Sequence, residues 1–283
     1  MIYVSSSCIR ANYINESVRK LAEEGFTHIE LSGGTKAYPD LEKDLLSLQD
    51  KYGLHYLCHN YFPPPEIPFV INIASLDEKI HQLSMENLIK GIELSEKLGA
   101  KQFGFHAGFL INIPLEQIGK KLDRSKLFDR KKASEKFIRS YSILRNRFPN
   151  MKLYLENNVI SNENLNSFKG ENPFFICDKE DYENFKEKLD FNILLDIAHL
   201  KVSCQSLKRD FKKELEYFLG ESDYIHLSDN NSLTDSNGPI LEDSEMYRLL
   251  SQNSLVNKTL NLEIYRPVEE IRSSMNLIKK LNV

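Results

Sequence analysis

The stretch Asn192-Ile193-Leu194-Leu195-Asp196-Ile197-Ala198-His199 decides the fold of this chain. Its run of apolar residues is typical of a strand that is buried on both faces. A carboxylate at the end of such a strand is costly to bury unless it is paired or binds a metal. The position of Asp196 therefore predicts a functional site at the rim of a hydrophobic core.

Three other segments repeat this pattern of a short apolar strand that ends in a side chain able to bind a metal. They are Leu153-Tyr154-Leu155-Glu156, Tyr224-Ile225-His226-Leu227-Ser228-Asp229 and Leu260-Asn261-Leu262-Glu263. A pattern that recurs four times is the main indication of function in this sequence, since a single strand end of this kind carries little information.

Strand-like and helix-like segments alternate along the whole chain. Strands are predicted at 2–6, 28–31, 54–59, 102–106, 151–156, 191–196, 223–227 and 259–264. Helices are predicted at 14–24, 41–52, 76–98, 130–147, 179–189, 207–219 and 269–281, with a weaker one at 243–252. Such alternation implies parallel strands joined by helices. Eight units in 283 residues predict one domain over residues 1–283, a single (β/α)8 TIM barrel of the α/β class.

Composition narrows the class of protein. Hydrophobic residues make up 41% and charged residues 28%, as in ordinary globular proteins. The net charge of −4 gives no general attraction to nucleic acid. No apolar segment approaches the roughly 20 residues that cross a bilayer. The four cysteines are far apart and form no CxxC pair, which indicates reduced thiols and makes the cytoplasm the expected compartment.

Six predicted strands end in or near a histidine or a carboxylate: His59, His106, Glu156, Asp196, His226 and Glu263. The carboxyl ends of barrel strands converge on the face that carries active sites. Imidazole and carboxylate ligands together suit Mn²⁺, Mg²⁺, Co²⁺ or Zn²⁺. Each residue alone is more often structural, but agreement among six strand ends predicts a divalent metal ion as cofactor.

Other residues near the strands are weaker candidates. Cys58 should point away from His59 because neighbouring side chains of a strand face opposite sides. His28, His55 and His81 are interpreted as structural or solvated. Glu30 ends a strand and is a candidate only for orienting a neighbour.

Six motifs occur in order along nearly the whole chain: Ile29-Glu30-Leu31-Ser32, Phe105-His106-Ala107-Gly108, Leu155-Glu156-Asn157, Leu195-Asp196-Ile197-Ala198-His199, Ile225-His226-Leu227-Ser228-Asp229 and Leu262-Glu263. As a series they resemble the xylose isomerase-like barrel superfamily, which contains sugar isomerases, sugar epimerases and family 2 apurinic endonucleases. Each motif is weak alone, so the series indicates the superfamily rather than one member.

The resemblance to the epimerases implies one metal held by Glu156, Asp196, His226 and Glu263. It also implies that the two glutamates move protons and that His199 contacts a substrate oxygen. A metal on the substrate carbonyl stabilises an enediolate, and flanking carboxylates act as base and acid. Arg266 is a candidate for binding a substrate phosphate or carboxylate, or is a surface charge.

The endonucleases of the superfamily use three zinc ions. Their first set corresponds to His59, His106 and Glu156, and their second to the four epimerase ligands. The third set needs His199 and an aspartate-x-histidine pair, where this chain has Asp235-Ser236-Asn237. That departure counts against DNA cleavage. A second metal or a substrate contact remains open for His59, His106, His199, Asp229 and Asp235.

We therefore expect a metal-dependent sugar or sugar-phosphate isomerase or epimerase that works through proton transfer and a metal-stabilised enediolate. The alternatives are a keto-sugar or inosose-type dehydratase, an apurinic endonuclease, and a barrel that binds a sugar or a partner without catalysis. The expected partner is a small sugar or sugar phosphate. Neither nucleic acid nor a membrane is expected, and the resemblance allows a homodimer.

Overall fold

The eight strands form one closed parallel barrel in which each strand pairs with the next along the chain and the last pairs with the first. The structure is a computed structural model and describes residues 1–281. The strands are β1 Ile2–Ser5, β2 His28–Leu31, β3 His55–His59, β4 Gln102–His106, β5 Lys152–Glu156, β6 Asn192–Asp196, β7 Tyr224–Leu227 and β8 Thr259–Leu262. The predicted (β/α)8 TIM barrel is confirmed.

Helices lie between consecutive strands and after the last one. They are α1 Ile14–Glu23, α2 Leu41–Tyr52, α3 Glu78–Lys97, α4 Arg130–Arg147, α5 Asn162–Ser167, α6 Lys179–Lys186, α7 Ile197–Leu207, α8 Phe211–Glu221, α9 Glu245–Ser251 and α10 Val268–Lys280. Short 3-10 turns occupy Ser6–Cys8 and Leu115–Gln117. Among the described residues, no helix is both long enough and apolar enough to cross a membrane.

The prediction was wrong after β5, where it missed the short helix α5, and between β6 and β7, where the structure has two helices instead of one. The chain enters α7 directly after β6, and almost every residue of α7 is buried, so it shows no polar stripe for sequence analysis to detect. Lys208 then adopts a left-handed conformation that ends α7. The next helix begins at Phe211 rather than Leu207, after Asp210 caps it through the Lys213 N–H.

Two of the three hydrophobic clusters in the described residues follow from the alternation of side chains along the strands. Residues such as Cys58, Leu155 and Leu195 belong to the large core shared with the surrounding helices. A small core of six residues fills the barrel itself: Tyr3, Leu57, Ala100, Tyr154, Leu194 and Tyr224. Polar side chains lie above this small core, toward the carboxyl ends of the strands, as is typical of a barrel with a filled interior.

Candidate metal centre

Glu156 lies at the centre of a cluster of histidines. Its Oε2 atom is 2.8 Å from His59 Nε2 and 2.9 Å from His106 Nδ1. Its Oε1 atom is 3.6 Å from both His226 Nδ1 and His199 Nδ1. Only 1% of Glu156 is exposed. The last residue of β5 is therefore shared by two groups of histidines, one near each carboxylate oxygen.

A second group joins the ends of β6, β7 and β8. Asp196, His226 and Glu263 each offer a ligand atom, and these atoms lie within 4.8 Å of one another. His226 Nδ1 is 3.7 Å from Glu263 Oε1. Glu263 directly follows β8 and extends its pairing, since its N–H donates to the Leu227 carbonyl. The four strand-end residues for which the sequence predicted metal binding, Glu156, Asp196, His226 and Glu263, thus lie close together.

The ring nitrogen Nδ1 of His226 is buried and makes no hydrogen bond to the described residues. A buried polar atom without a partner is costly, and such atoms call for an explanation. A divalent cation between Glu156, Asp196, His226 and Glu263 would be bound by the lone pair of His226 Nδ1 and by the three carboxylates. The donor set of oxygen and imidazole nitrogen fits Mn²⁺, Mg²⁺, Co²⁺ or Zn²⁺.

The charges in the cluster perturb one another strongly. Burial opposes ionisation of Glu156, but the neighbouring His106 and His59 outweigh it and hold its pKa well below the usual value. Burial raises the pKa of Asp196 to about 7, against the opposing effect of His199. Burial would lower the pKa of His226, but Glu30 and Glu263 hold it well above the usual value. Without a cation, protons offset the charge of the carboxylates.

Asn157 fixes the position of Asp196 by bonding both sides of its backbone. The Asp196 N–H donates to Asn157 Oδ1 at 2.7 Å, and Asn157 Nδ2 donates to the Asp196 carbonyl at 3.0 Å. Asp196 Oδ1 in turn accepts the His199 N–H at 2.7 Å and caps α7. Its other carboxylate oxygen, Oδ2, is thereby left facing the cluster.

His199 faces a further carboxylate on the opposite side of its ring. Its Nδ1 atom donates to the Asn157 carbonyl at 2.9 Å, which leaves Nε2 3.3 Å from Asp235 Oδ2 and 3.8 Å from Asp196 Oδ2. Asn237 follows in the same loop and is buried at the wall of the cavity. The structure therefore brings His199 and Asp235 together beside the main cluster.

Two predicted site residues lie elsewhere. Asp229 pairs with the buried Lys201, whose Nζ atom donates to Asp229 Oδ1 at 2.6 Å and to the Asn230 carbonyl at 2.8 Å. Arg266 is exposed and bonds the neighbouring Tyr265 carbonyl at 2.8 Å. Neither residue lines the cavity over the cluster. The sequence could not reveal the Lys201–Asp229 pair, because the two residues lie on different elements, and it could not show which way Arg266 faces, because that residue lies at a bend between β8 and α10.

Glu30 is the site residue whose role the sequence left ambiguous. Its side chain is fully buried and bonds His226, Tyr224 and Asn261 from inside the barrel. The only signal in the sequence was a carboxylate on a buried strand. Its partners lie on β7 and β8, almost the whole chain away, so no local pattern could identify them.

A cavity of about 970 Å³ lies over the cluster at the carboxyl ends of the strands. His59, His106, Glu156, His199 and Glu263 form part of its lining. The proline-rich segment 60–68 supplies one wall, and segments 113–122 and 158–164 supply others. The volume is at the upper end of the range of small-molecule sites, about 300–1,000 Å³.

A family model described as a xylose isomerase-like TIM barrel matches residues 18–281. The chain belongs to this family. The resemblance inferred from the six motifs is thereby confirmed. A search of curated proteins finds no significant match to the sequence.

Solved structures with the same fold carry different activities in their names. A D-tagatose 3-epimerase-like protein is 18% identical with a TM-score of 0.73, over 99% of this chain and 96% of its own. An L-ribulose 3-epimerase is 14% identical with a TM-score of 0.64, over 97% of this chain and 86% of its own. Endonuclease IV from Thermus thermophilus is 14% identical with a TM-score of 0.61, over 99% of both chains. At these identities the likeness establishes the fold.

Proposed function

We propose that this barrel is a divalent-metal-dependent isomerase or epimerase of a small sugar. The observation that carries the proposal is the convergence of Glu156, Asp196, His226 and Glu263 beside a cavity of small-molecule size, which Glu156 and Glu263 line. These are the four ligands that the resemblance implies for the epimerases. Two of the named structural neighbours, the D-tagatose 3-epimerase-like protein and the L-ribulose 3-epimerase, favour a ketose as the substrate class.

The four residues would hold the cation in this proposal. When bound, it supplies a positive charge that stabilises the enediolate produced when a carbon beside the carbonyl loses its proton. The cluster is nearly closed to solvent, with all four side chains buried. Exclusion of water strengthens the electrostatic effect of each charged group at the reacting carbon.

Glu156 and Glu263 are proposed to carry the proton. His106 and His59 hold the pKa of Glu156 well below its usual value despite burial, which keeps a proton acceptor available. Burial raises the pKa of Glu263, although His226 opposes the effect, and this favours a group that can return a proton. In the metal-free cluster the pKa values of these two buried carboxyl groups are thus moved in opposite directions, which favours different protonation states for the two glutamates.

His59, His106 and His199 are proposed to bind substrate oxygens, or a second cation with Glu156. His106 and His199 each offer a nitrogen beside Glu156 and line the cavity. Asp235 Oδ2 lies 3.3 Å from His199 Nε2 and is proposed to contact the same substrate oxygen or second cation as that nitrogen.

An unphosphorylated sugar is the better substrate for this cavity. Within the described chain, Arg10 and Lys120 are the only arginine and lysine in the lining, and both are exposed. Arg266, the residue considered for binding a phosphate, points away into solvent. Phosphate recognition normally uses bidentate arginine or several donors in a buried setting, which this lining does not provide.

The test is turnover of free ketoses such as D-tagatose and L-ribulose by the manganese-loaded protein in D₂O, followed by NMR. We expect an isomer or epimer with deuterium at the carbon beside the carbonyl. Loss of water from the sugar would instead indicate the dehydratase alternative. A protein that binds ketoses but leaves them unchanged would be a non-catalytic barrel.

An apurinic endonuclease is the second candidate, and one observation favours it. His59 and His106 both contact the same Glu156 oxygen, as a zinc site of the endonucleases would require. Against it, Asn237 replaces a histidine of the third site, and amide groups are poor zinc ligands. Incubation of the zinc-loaded protein with abasic duplex DNA distinguishes the two functions. Cleavage of the DNA would favour the endonuclease over the sugar isomerase or epimerase.

A further inference from the structure

Glu30 lies beneath the candidate metal centre, where three strands meet inside the barrel. Its Oε2 atom accepts a hydrogen bond from His226 Nε2 at 3.1 Å and another from the Tyr224 hydroxyl. Its Oε1 atom accepts a hydrogen bond from Asn261 Nδ2 at 2.6 Å. Glu30 is 0% exposed. Both carboxylate oxygens therefore accept hydrogen bonds from side chains of β7 and β8.

These contacts determine which nitrogen of His226 carries the proton. A neutral imidazole has one donor nitrogen and one acceptor nitrogen, and the partner of one fixes the role of the other. Because Glu30 can only accept, Nε2 must be the donor. When the ring is neutral, as metal binding requires, its lone pair lies on Nδ1, the atom that faces Glu156 and Glu263 at 3.6 and 3.7 Å and has no hydrogen bond to the described residues.

The surroundings hold this arrangement rigidly. His226 and Tyr224 are two residues apart on β7 and face the same side, and Asn261 is the register partner of His226 on β8. Tyr224 packs edge-on against Tyr154, with ring centres 5.3 Å apart. Glu30 thus receives donors from positions that the barrel itself fixes, so the imidazole ring cannot turn without breaking a buried hydrogen bond.

We propose that Glu30 is a positioning residue that fixes His226 in the Nε2–H tautomer and thereby presents Nδ1 to the cation. The inference rests on the metal ligation proposed above for His226. Metal-bound histidines commonly donate their second N–H to a carboxylate, which orients the ring and increases its basicity, and loss of such a partner costs about 10- to 100-fold in metal affinity. Glu30 also forms a group with His59 and Glu263 whose ligand atoms lie within 4.8 Å of one another, but both of its oxygens already accept hydrogen bonds, and we therefore assign it a positioning role rather than a ligating one.

The first test measures zinc affinity by competition with a chelator. Glu30→Gln keeps the shape but weakens the acceptor, and we expect about tenfold weaker binding. Glu30→Met removes the acceptor altogether, and we expect about a hundredfold loss. The matched control is Asp223→Asn, which removes a carboxylate that accepts from Lys152 and the Tyr154 hydroxyl at the other end of the barrel. The control should bind zinc as the unmodified protein does.

The second test needs no substitution of Glu30. In long-range ¹H–¹⁵N spectra of the zinc-loaded protein with ¹⁵N-labelled histidine, the His226 ring should carry its proton on Nε2 and its metal on Nδ1. Its signals are assigned by their loss in His226→Gln. A proton on Nδ1, or zinc binding unchanged in both Glu30 variants, would overturn the proposal while leaving the metal site intact. A protein that binds no zinc would overturn the proposed function as well.

Discussion

Glu156 is the residue on which the site depends, because both of its carboxylate oxygens face histidines and only 1% of the residue is exposed. His59 and His106 lie on one oxygen, and His226 and His199 lie near the other. A single carboxylate can therefore bind a cation through one oxygen and contact His59 and His106 through the other. This is why we place the proton acceptor here rather than on Asp196, which also caps a helix.

A glycine makes room for one of these histidines. A Cβ atom on Gly104 would lie 2.6 Å from Leu194 Cδ1 and 3.2 Å from His59 Cδ2. We predict that Gly104→Ala destabilises the protein by about 1–3 kcal/mol, because overpacking forces side chains off their preferred rotamers. It should also weaken metal binding by displacing His59. Urea denaturation of the metal-free protein measures the first effect.

The matched control for that substitution is Gly220→Ala in α8, where a Cβ atom would meet nothing within 4 Å. Alanine is favoured over glycine inside a helix, so this variant should be more stable by up to about 1 kcal/mol. Equal effects of the two substitutions would show that the space around Gly104 is not limiting.

At the level of secondary structure, the site depends on hydrogen bonds that join β5, β6 and α7. Asn157 follows β5 and bonds both the N–H and the carbonyl of Asp196. Asp196 ends β6 and caps α7 in the same position. One asparagine therefore aligns two strands and a helix, and its own carbonyl accepts the hydrogen bond that orients His199.

We predict that Asn157→Ala lowers the free energy of unfolding by about 1–3 kcal/mol, since a buried N–H of Asp196 would lose its partner. Metal affinity should fall as well, because Asp196 loses its alignment. Asn192→Ala is the matched control, as its side chain bonds the Leu153 carbonyl at the opposite end of β6. Equal metal affinity in both variants would contradict the role given to Asn157. Calorimetric titration and thermal denaturation provide the two measurements.

Sequence patterns predicted the strands well and the interior of the site less well. Apolar strands that end in His106, Glu156 or Asp196 are visible locally, so the barrel and most of the converging side chains could be predicted. The α7 helix was missed because burial on all sides hides its periodicity. The pairing of Asp229 with Lys201 and of Glu30 with β7 and β8 depends on contacts between distant parts of the chain.

At the scale of the whole molecule, the buried charges make stability depend on pH when no metal is bound. The pKa of Asp196 is about 7 in the folded state, above its usual range, and those of His199 and His226 are held well above their usual value. Each of these groups keeps a proton that the unfolded chain releases at lower pH. Stability from them is therefore lost as pH rises through the folded-state pKa values.

We predict that the melting temperature of the metal-free protein falls between pH 6.5 and 8.5. The pKa values of His106 and Glu156 are lowered in the folded state, so these two groups make stability rise with pH at lower pH. The window for the predicted fall therefore begins at about 6.5, the usual pKa of histidine. Asp196→Asn should show a smaller fall, because one of the titrating groups is gone. A melting temperature that rises across the window would contradict the assignment of buried protons to the cluster. Scanning calorimetry in matched buffers provides the measurement.

The central claim is that Glu156 and Glu263 move the proton while they help to hold the cation. The most direct test compares Glu156→Gln, Glu263→Gln and the control Glu163→Gln, which alters an exposed carboxylate of the same cavity wall. Turnover of a ketose and solvent deuterium exchange are followed by NMR, with metal content determined for each protein. We predict a loss of about 10²–10⁴-fold in both rates for the first two variants and none for the control. Full turnover in either Glu156→Gln or Glu263→Gln would contradict the account.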